Sequence, residues 1–387
     1  MAQSSATYLA LVPAGLESVL EDELKTLGFK GIKRLVGAVR WQGDLESLYR
    51  AHLELRTPVR ILRKEFQFPA RTVQELYDRA VKLPWHKVMT PERTISIECV
   101  VTEETEEFRH TGFLALKVKD AIADFFRNKV GRRPDVDKED AHFPIQVYLN
   151  DGYCEIGFDA TGVSLHERGY RQSDTGAPLK ENLAAGMIKL TGWTPDRPFV
   201  DLMCGSGTLP IEAALMACNI APGFLALKRN SQRFKFLNWP DFDPTLWQKL
   251  LNEVEGRIIE KAPAPIFGSD HAATAIRISK LHGERAGVHR SITWTQCKIE
   301  DFVLPPDCPP GVVILNPPYG LRLETSKDLT VLYKTIGDVF KNKFKGWDAF
   351  VFTGEPELLK SVGLKSSGKI PLFNGPIECR LAKYQIY

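Results

Sequence analysis

The C-terminal half of the chain contains the sequence Val312-Val313-Ile314-Leu315-Asn316-Pro317-Pro318-Tyr319-Gly320. It predicts a buried strand that ends abruptly. Four consecutive apolar residues, three of them β-branched, are typical of a parallel strand covered on both faces. The two prolines that follow must stop the strand, because proline has no N–H to donate to a neighbouring strand. Asn316 is therefore predicted to lie at the carboxyl edge of the sheet, where open α/β sheets bind ligands.

The residues after this strand offer polar atoms that the sheet does not use. The Asn316 amide presents a carbonyl oxygen, and the Pro317 carbonyl has no regular ladder partner. Pro318 leads on to Tyr319, which supplies a flat aromatic face. Two acceptors beside a ring suit a planar group that carries an NH2, such as a nucleobase. A strand followed by an ordinary proline-rich turn is the alternative interpretation.

A second motif lies about a hundred residues upstream, at Asp201-Leu202-Met203-Cys204-Gly205-Ser206-Gly207-Thr208-Leu209-Pro210. It follows a predicted strand and precedes a predicted helix, which is where a nucleotide-binding loop belongs. Gly205 and Gly207 permit a tight turn and a close approach of the backbone to a ligand. The pattern differs from the dinucleotide fingerprint, since Pro210 replaces the third glycine and an acid precedes the loop.

Acids at the ends of two neighbouring strands indicate what this loop binds. Asp201 at the strand end would repel a pyrophosphate but suits an ammonium group. Asp270, at the end of the next strand, is placed to hydrogen-bond a ribose diol. S-adenosyl-L-methionine, an adenosine that carries an amino-acid cation, fits both acids. A glycine-rich turn with only a structural role is the alternative.

The order of the remaining elements predicts three parts. Residues 1–66 mix short strands with two helices, residues 67–165 repeat such a mixture in another form, and both predict small α+β units. From residue 166 to 387 strands alternate with helices, which predicts a parallel, doubly wound sheet. A chain of 387 residues is long enough for two or three domains.

Composition excludes several classes of protein. Hydrophobic residues make up 43% of the sequence and charged residues 26%, as in ordinary globular proteins. The sequence contains no run of about 18 apolar residues, so no membrane-spanning helix is predicted. The first residues lack the charged and apolar segments of a secretory signal. Seven scattered cysteines without a C-x-x-C predict neither disulfides nor a metal site, so a reducing cytoplasm is expected. A net charge of +3 permits nucleic acid as a partner without arguing for it.

Basic residues that could contact an RNA backbone occur in two regions. The first surrounds a predicted helix near residue 120, and the second precedes the doubly wound sheet. Solvated helix faces or a polar linker are the alternatives. The candidates are Lys117, Arg132, Arg133, Arg168, Arg171 and Lys180.

Taken together, three motifs resemble the bacterial RlmL-type methyltransferases. They are Asp-Leu-Met-Cys-Gly-Ser-Gly-Thr from Asp201, Asn-Pro-Pro-Tyr-Gly-Leu-Arg-Leu from Asn316 and Leu-Phe-Asn-Gly-Pro-Ile-Glu-Cys-Arg-Leu from Leu372. The resemblance spans almost the whole chain. It implies a ferredoxin-like region, a THUMP RNA-binding domain and a Rossmann-like class I methyltransferase domain. It further implies S-adenosyl-L-methionine as cofactor, and guanine N2 of large-subunit ribosomal RNA as the methyl acceptor.

The resemblance also implies roles for individual residues. Residues Asn316 to Tyr319 would hold the target base. Some relatives have an acid where Lys298 stands and many have one where Ala272 stands, so the sequence departs from the family pattern around the ribose and adenine contacts. The cofactor would be contacted by Asp201, Cys204, Gly205, Gly207, Thr208, Asp270, His271, Asp301 and Asn316.

Other functions share parts of this pattern. A DNA adenine-N6 methyltransferase has the same Asn-Pro-Pro-Tyr sequence, although the two small N-terminal units argue against it. An RNA-binding assembly factor with an idle methyltransferase fold is a second alternative. A nicotinamide-dependent oxidoreductase fits least, because Pro210 and Asp201 depart from its fingerprint.

Overall fold

The computed structural model describes residues 5–102, 105–171, 179–318 and 326–387. Within these ranges the chain forms two seven-stranded sheets, one from each half of the sequence. No helix of the described ranges is long and apolar enough to cross a membrane. All seven cysteines lie in these ranges and are free thiols.

The described residues of the N-terminal half form seven strands and four α-helices. Its sheet has the order β2-β3-β1-β4-β7-β6-β5. The elements are β1 (Ala6–Leu11), α1 (Glu17–Thr26), β2 (Lys30–Leu35), β3 (Ala38–Gly43), α2 (Leu45–Glu54), β4 (Arg60–Pro69), α3 (Val73–Ala80), β5 (Ile95–Val101), α4 (Thr111–Val130), β6 (Phe143–Asn150) and β7 (Tyr153–Asp159).

Local signals in the sequence explain several of these boundaries. Asp44 caps α2, because its side chain accepts a hydrogen bond from the Ser47 amide at 3.0 Å, and aspartate is a favoured residue at this position. Asp151 and Gly152 have φ values of 47° and 70° and form a two-residue turn between β6 and β7, for which Asp-Gly is a favoured sequence.

Strand β4 joins the two N-terminal units into one sheet. It pairs with β1 on one side and with β7 on the other, and both pairings are antiparallel. The predicted boundary between residues 66 and 67 falls inside this strand. The two units are therefore parts of one continuous sheet.

The C-terminal half contains a second set of seven strands and six α-helices in the described ranges. Its elements are α5 (Glu181–Leu190), β8 (Phe199–Asp201), α6 (Thr208–Ala217), α7 (Pro222–Leu227), α8 (Pro244–Gly256), β9 (Ile266–Asp270), α9 (Ala273–Arg285), β10 (Ile292–Gln296), β11 (Val312–Leu315), α10 (Ser326–Lys343), β12 (Asp348–Thr353), β13 (Gly368–Asn374) and β14 (Ile377–Gln385). Pro178, which precedes α5 in the sequence, lies outside the described residues.

The strand order of the second sheet is β10-β9-β8-β11-β12-β14-β13. Five strands are parallel, while β14 runs antiparallel to β12 and forms a hairpin with β13. The chain moves outward from β8 to β10 and then returns to β11 on the other side of β8. This reversal between β8 and β11 is a topological switch point, and it brings the carboxyl ends of both motif-bearing strands together.

Aromatic residues on α8 and on the segment between α7 and α8 pack against α2 and join the two halves. Phe236 stacks on Tyr49 of α2 with ring centroids 5.0 Å apart and meets His52 at 4.8 Å. Trp247 approaches Tyr49 edge-on at 5.4 Å. Burial of these rings stabilises a fixed arrangement of the C-terminal sheet against the N-terminal one.

Candidate active site

A cavity of about 730 Å³ opens at the carboxyl edge of the second sheet. Its wall combines the loop after β8, the end of β9, the turn after β11, the segment before α5 and the hairpin turn between β13 and β14. The lining residues are His166, Arg171, Leu179, Lys180, Asp201, Met203, Cys204, Gly205, Ser206, Thr208, Leu209, Asp270, His271, Asn316, Pro317, Pro318, Asn374, Gly375, Pro376 and Ile377. Both motifs predicted from the sequence therefore face one space.

The glycine loop is tied to the neighbouring strand by Asp270. The Gly205 amide donates to Asp270 Oδ2 at 3.0 Å, and the Ala272 amide donates to Oδ1 at 2.9 Å. A carboxylate has about four acceptor positions, so two remain for a ligand. Asp270 can therefore fix the loop and still accept hydrogen bonds from a diol.

Asp201 is a buried carboxyl group at the end of β8. Its side chain accepts a hydrogen bond from the Met203 amide at 3.1 Å, and only 2% of the residue is exposed. Burial raises the pKa of Asp201 to about 8, although the Met203 hydrogen bond lowers it, and the nearby Asp270 charge raises it further. A buried carboxylate is stable only beside a cation, which is what the ammonium group of an amino acid supplies.

The two glycines of the loop have different physical roles. Both have left-handed backbone angles, with φ of +53° at Gly205 and +83° at Gly207. A Cβ on Gly207 would lie 2.7 Å from Ser279 Cβ and 2.8 Å from the Trp294 ring, whereas one on Gly205 would meet no atom within 4 Å. Gly207 is needed for packing beneath the loop, and Gly205 leaves open space on the cavity side.

These contacts predict losses of stability of different size for two alanine substitutions. Gly207→Ala is expected to lower the free energy of unfolding by roughly 2–5 kcal/mol, the sum of left-handed strain and overpacking. Gly205→Ala is expected to cost roughly 1–2 kcal/mol, from strain alone, while it weakens binding of S-adenosylhomocysteine. Urea denaturation and calorimetry of both variants would check this, and equal losses of stability would contradict it.

The turn after β11 presents an acceptor without a donor. Asn316 Oδ1 is buried and has no hydrogen-bond partner among the described residues. Such an orphaned acceptor costs about 1–3 kcal/mol unless a bound molecule donates to it. Pro317 and Pro318 line the cavity beside Asn316, while Tyr319 lies outside the described residues.

The other predicted cofactor residues divide into two groups. Cys204, Thr208 and His271 line the cavity. Gly207 and Asp301 are not part of its wall, and Asp301 is exposed in a short helical turn after β10. An adenine contact by Asp301 stays a prediction.

The predicted RNA-binding residues occupy very different environments. Arg132 and Arg133 are exposed after α4, Lys117 is partly exposed with its ammonium 5.3 Å from the Phe113 ring centre, and Lys180 is exposed at the cavity. These positions stay candidates for phosphate contacts.

The prediction for Arg168 is wrong. Only 1% of this residue is exposed, and its guanidinium donates to the carbonyl oxygens of Leu165 and Arg56. Its Nε lies 3.6 Å from Glu212 Oε1, and Glu212 is also fully buried. The arginine stabilises the interface between the two halves and has no surface to offer to RNA.

Arg168→Ala is therefore expected to lower the free energy of unfolding by roughly 3–5 kcal/mol, because it leaves the Glu212 carboxylate buried without its cation. Arg132→Ala, on an exposed side chain, is the matched control and should change stability by less than about 0.5 kcal/mol. Urea denaturation measures both. A stable Arg168→Ala protein that binds RNA poorly would restore the original prediction.

Sequence reasoning missed two parts of the cavity wall. His166 lies before the linker arginines, and Asn374 to Ile377 form the hairpin turn. An antiparallel β14 begins at the edge where its parallel neighbours end, so its turn must lie beside the site. Only the strand order reveals this. Across the described part of the chain, no group of three or more His, Cys, Asp or Glu side chains is placed to hold a metal ion.

Three family models match the chain. The RlmL ferredoxin-like domain matches residues 7–62, the THUMP domain matches residues 70–159, and the RMKL-like methyltransferase domain matches residues 168–383. These matches follow the order expected from the sequence motifs.

Known proteins resemble the chain over nearly its full length. A putative RNA methyltransferase of Synechocystis sp. is 38% identical over 380 residues, which cover 98% of this chain and 97% of the relative. A ribosomal RNA large subunit methyltransferase K/L of Allochromatium vinosum is 41% identical over 389 residues, which cover 99% of this chain but 52% of the relative. The chain thus spans about half the length of the K/L protein.

A solved structure shows the same fold. The crystal structure of a putative methyltransferase complexed with SAH has a TM-score of 0.89 and 30% sequence identity, and the match covers 100% of this chain and 99% of that one.

Proposed function

Because the chain belongs to the family of RMKL-like methyltransferase domains, and carries RlmL ferredoxin-like and THUMP domains before it, we propose that it methylates the exocyclic N2 of a guanine in large-subunit ribosomal RNA. Its methyl donor is S-adenosyl-L-methionine. The observation that carries the proposal is the single cavity in which the acid-lined glycine loop and the orphaned Asn316 acceptor meet.

The residues of the glycine loop fit the donor. Asp201 offers a buried carboxylate for the ammonium group, and Asp270 keeps acceptor positions for the ribose. Gly205 leaves the backbone open on the cavity side. When bound there, the donor supplies an electrophilic methyl group on a sulfonium.

The turn after β11 would hold the acceptor amine. The guanine N2 is a poor nucleophile because its lone pair is delocalised into the ring. If Asn316 Oδ1 and the Pro317 carbonyl accept its two N–H bonds, they favour a pyramidal nitrogen with a localised lone pair. The rate of methyl transfer is then increased by the positioning of the two reactants and by the fixed dipoles of the two carbonyl groups. The proton leaves after the methyl group arrives, so no strong base is needed. Support of the base by Tyr319 belongs to the proposal.

The N-terminal units would deliver the RNA. Lys117, Arg132 and Arg133 are placed outside the cavity, on a part of the chain that matches the THUMP domain. Phosphate contacts there would determine the affinity for RNA and its dependence on salt, while the cavity would recognise the target guanine. A cytoplasmic location, where ribosomes are made, is part of the proposal.

Mass spectrometry of ribosomal RNA nucleosides tests this function. A strain that lacks the protein should lose one N2-methylguanosine from large-subunit RNA, and a plasmid-borne copy should restore it. An Asn316→Ala copy should not. Loss of an N6-methyladenosine instead would favour the adenine alternative. If no methyl group is lost and calorimetry shows no donor binding, the chain is an idle binding factor.

A further inference from the structure

Arg171 lies where three segments of the chain meet. Its Nη2 donates to Thr208 Oγ1 at 2.8 Å and to the Leu179 carbonyl at 2.9 Å. Its Nη1 lies 3.6 Å from Glu181 Oε2. One guanidinium therefore connects the linker that enters the C-terminal half, the start of α5, and the first residue of α6.

The environment of this guanidinium is unusual for an RNA contact. The Arg171 side chain is 18% exposed and that of Glu181 is 3% exposed. Burial raises the pKa of Glu181 to about 7, and the Arg171 charge opposes the rise. Since a guanidinium that is held by protein acceptors keeps a fixed orientation, Arg171 is built into the wall of the cavity.

The same linker is anchored to the N-terminal half. Arg168, three residues earlier, donates to the Arg56 carbonyl, and Asn182 of α5 donates to the Thr57 carbonyl at 3.1 Å. Arg171 thus stands between an anchored linker and the loop that would hold the donor. Thr208, its partner, is the first residue of α6 and lines the cavity.

We infer that Arg171 is a positioning residue for the donor site, and that it acts through Thr208. The guanidinium fixes the Thr208 hydroxyl and the first turn of α6, so that the loop from Cys204 to Gly207 keeps its shape. This assignment replaces the expected RNA contact for Arg171. It rests on the proposed function, since it requires that the loop binds S-adenosyl-L-methionine.

Calorimetry with S-adenosylhomocysteine tests the inference on the full chain. Arg171→Met should weaken binding by about 10- to 100-fold, the effect expected when a charge-assisted hydrogen bond is lost. Thr208→Val, which removes the acceptor but keeps the shape, should weaken it by a similar factor. The double variant should be no weaker than the poorer single variant, because both remove one interaction. Thr208→Ser keeps the hydroxyl and should keep most of the affinity.

Two further variants separate positioning from charge and from folding. Glu181→Gln removes the counter-charge but leaves the bond to Thr208, so the affinity should change by less than about threefold. Arg171→Met alone leaves the Glu181 carboxylate buried without a counter-charge, which could unfold the protein. The double variant of Arg171→Met and Glu181→Gln removes both charges and avoids this cost. This double variant should still show the weakened binding.

RNA binding by the same variants distinguishes the two assignments. In filter binding to large-subunit ribosomal RNA without donor, Arg171→Met should match the wild type. The inference would be overturned if the losses of S-adenosylhomocysteine affinity in Arg171→Met and Thr208→Val added up in the double variant. It would also be overturned if Arg171→Met bound RNA more weakly with an unchanged affinity for S-adenosylhomocysteine. A wild-type protein that binds no S-adenosylhomocysteine would instead overturn the proposed function, and the inference with it.

Discussion

Asn316→Ala is expected to lower methyl-transfer turnover by roughly 10²-fold or more while leaving donor affinity nearly unchanged. The reason is the position of its side chain. Asn316 Oδ1 is buried without a donor among the described residues, at the carboxyl end of β11 and on the same cavity as the glycine loop. A preorganised acceptor matters most when the amine becomes pyramidal, so its loss should appear in turnover.

Single-turnover methylation of ribosomal RNA and calorimetry with S-adenosylhomocysteine would measure the two quantities separately. Asn316→Asp keeps an oxygen at the same place and should retain more activity than the alanine variant. Asn252→Ala, on an exposed residue of α8, is the matched control and should behave as the wild type. If Asn316→Ala methylates RNA at the wild-type rate, Asn316 has no part in the reaction.

The sequence predicted the parts of this site that depend on local rules. Prolines after an apolar run placed Asn316 at a strand end, and glycines after Asp201 placed a loop before a helix. The rule for parallel sheets then brought both to one edge. The structure has both strands in one parallel sheet, as expected, whereas the adjacency of β8 and β11 and the chain reversal between them are seen only in the folded chain.

The sequence could not predict features that depend on long-range burial. Arg168 and Arg171 look alike in the sequence, yet one is buried at an interface and the other is part of the cavity wall. The aromatic residues after α7 gave no sign that they would pack on Tyr49, which lies about 190 residues earlier. Likewise β4 is shared by two units because both of its edges find partners, and only the folded chain shows this.

Asp201→Asn is expected to weaken donor binding by about 10- to 100-fold, because it removes the carboxylate that we propose as the partner of the donor's ammonium group. The amide keeps the shape of the side chain and an oxygen that can accept from the Met203 amide. Calorimetry with S-adenosylhomocysteine at several pH values tests the electrostatic origin of the loss. Equal affinities for variant and wild type would remove Asp201 from the donor site.

The pH dependence follows from the burial of Asp201. Its pKa of about 8 means that the carboxyl is mostly protonated at pH 6 without ligand, and an ammonium group binds the ionised form. Wild-type affinity should therefore rise between pH 6 and 8, by at most about tenfold per unit, and fall above pH 8 as the ligand's amino group loses its proton. Asp201→Asn should show only the fall in affinity above pH 8.

The stability of the ligand-free protein should fall over the pH range in which the affinity for the ligand rises. The folded-state pKa of Asp201 lies above the unfolded value of about 3.9, so the unfolded chain releases this proton first as the pH rises. The contribution to stability is present below pH 4 and is lost progressively up to about pH 8. At pH 8, Asp201→Asn should therefore unfold at a higher urea concentration than the wild type while it binds the donor more weakly. A variant that is less stable than the wild type at pH 8 would contradict this prediction and would show that the Asp201 carboxylate supports the fold.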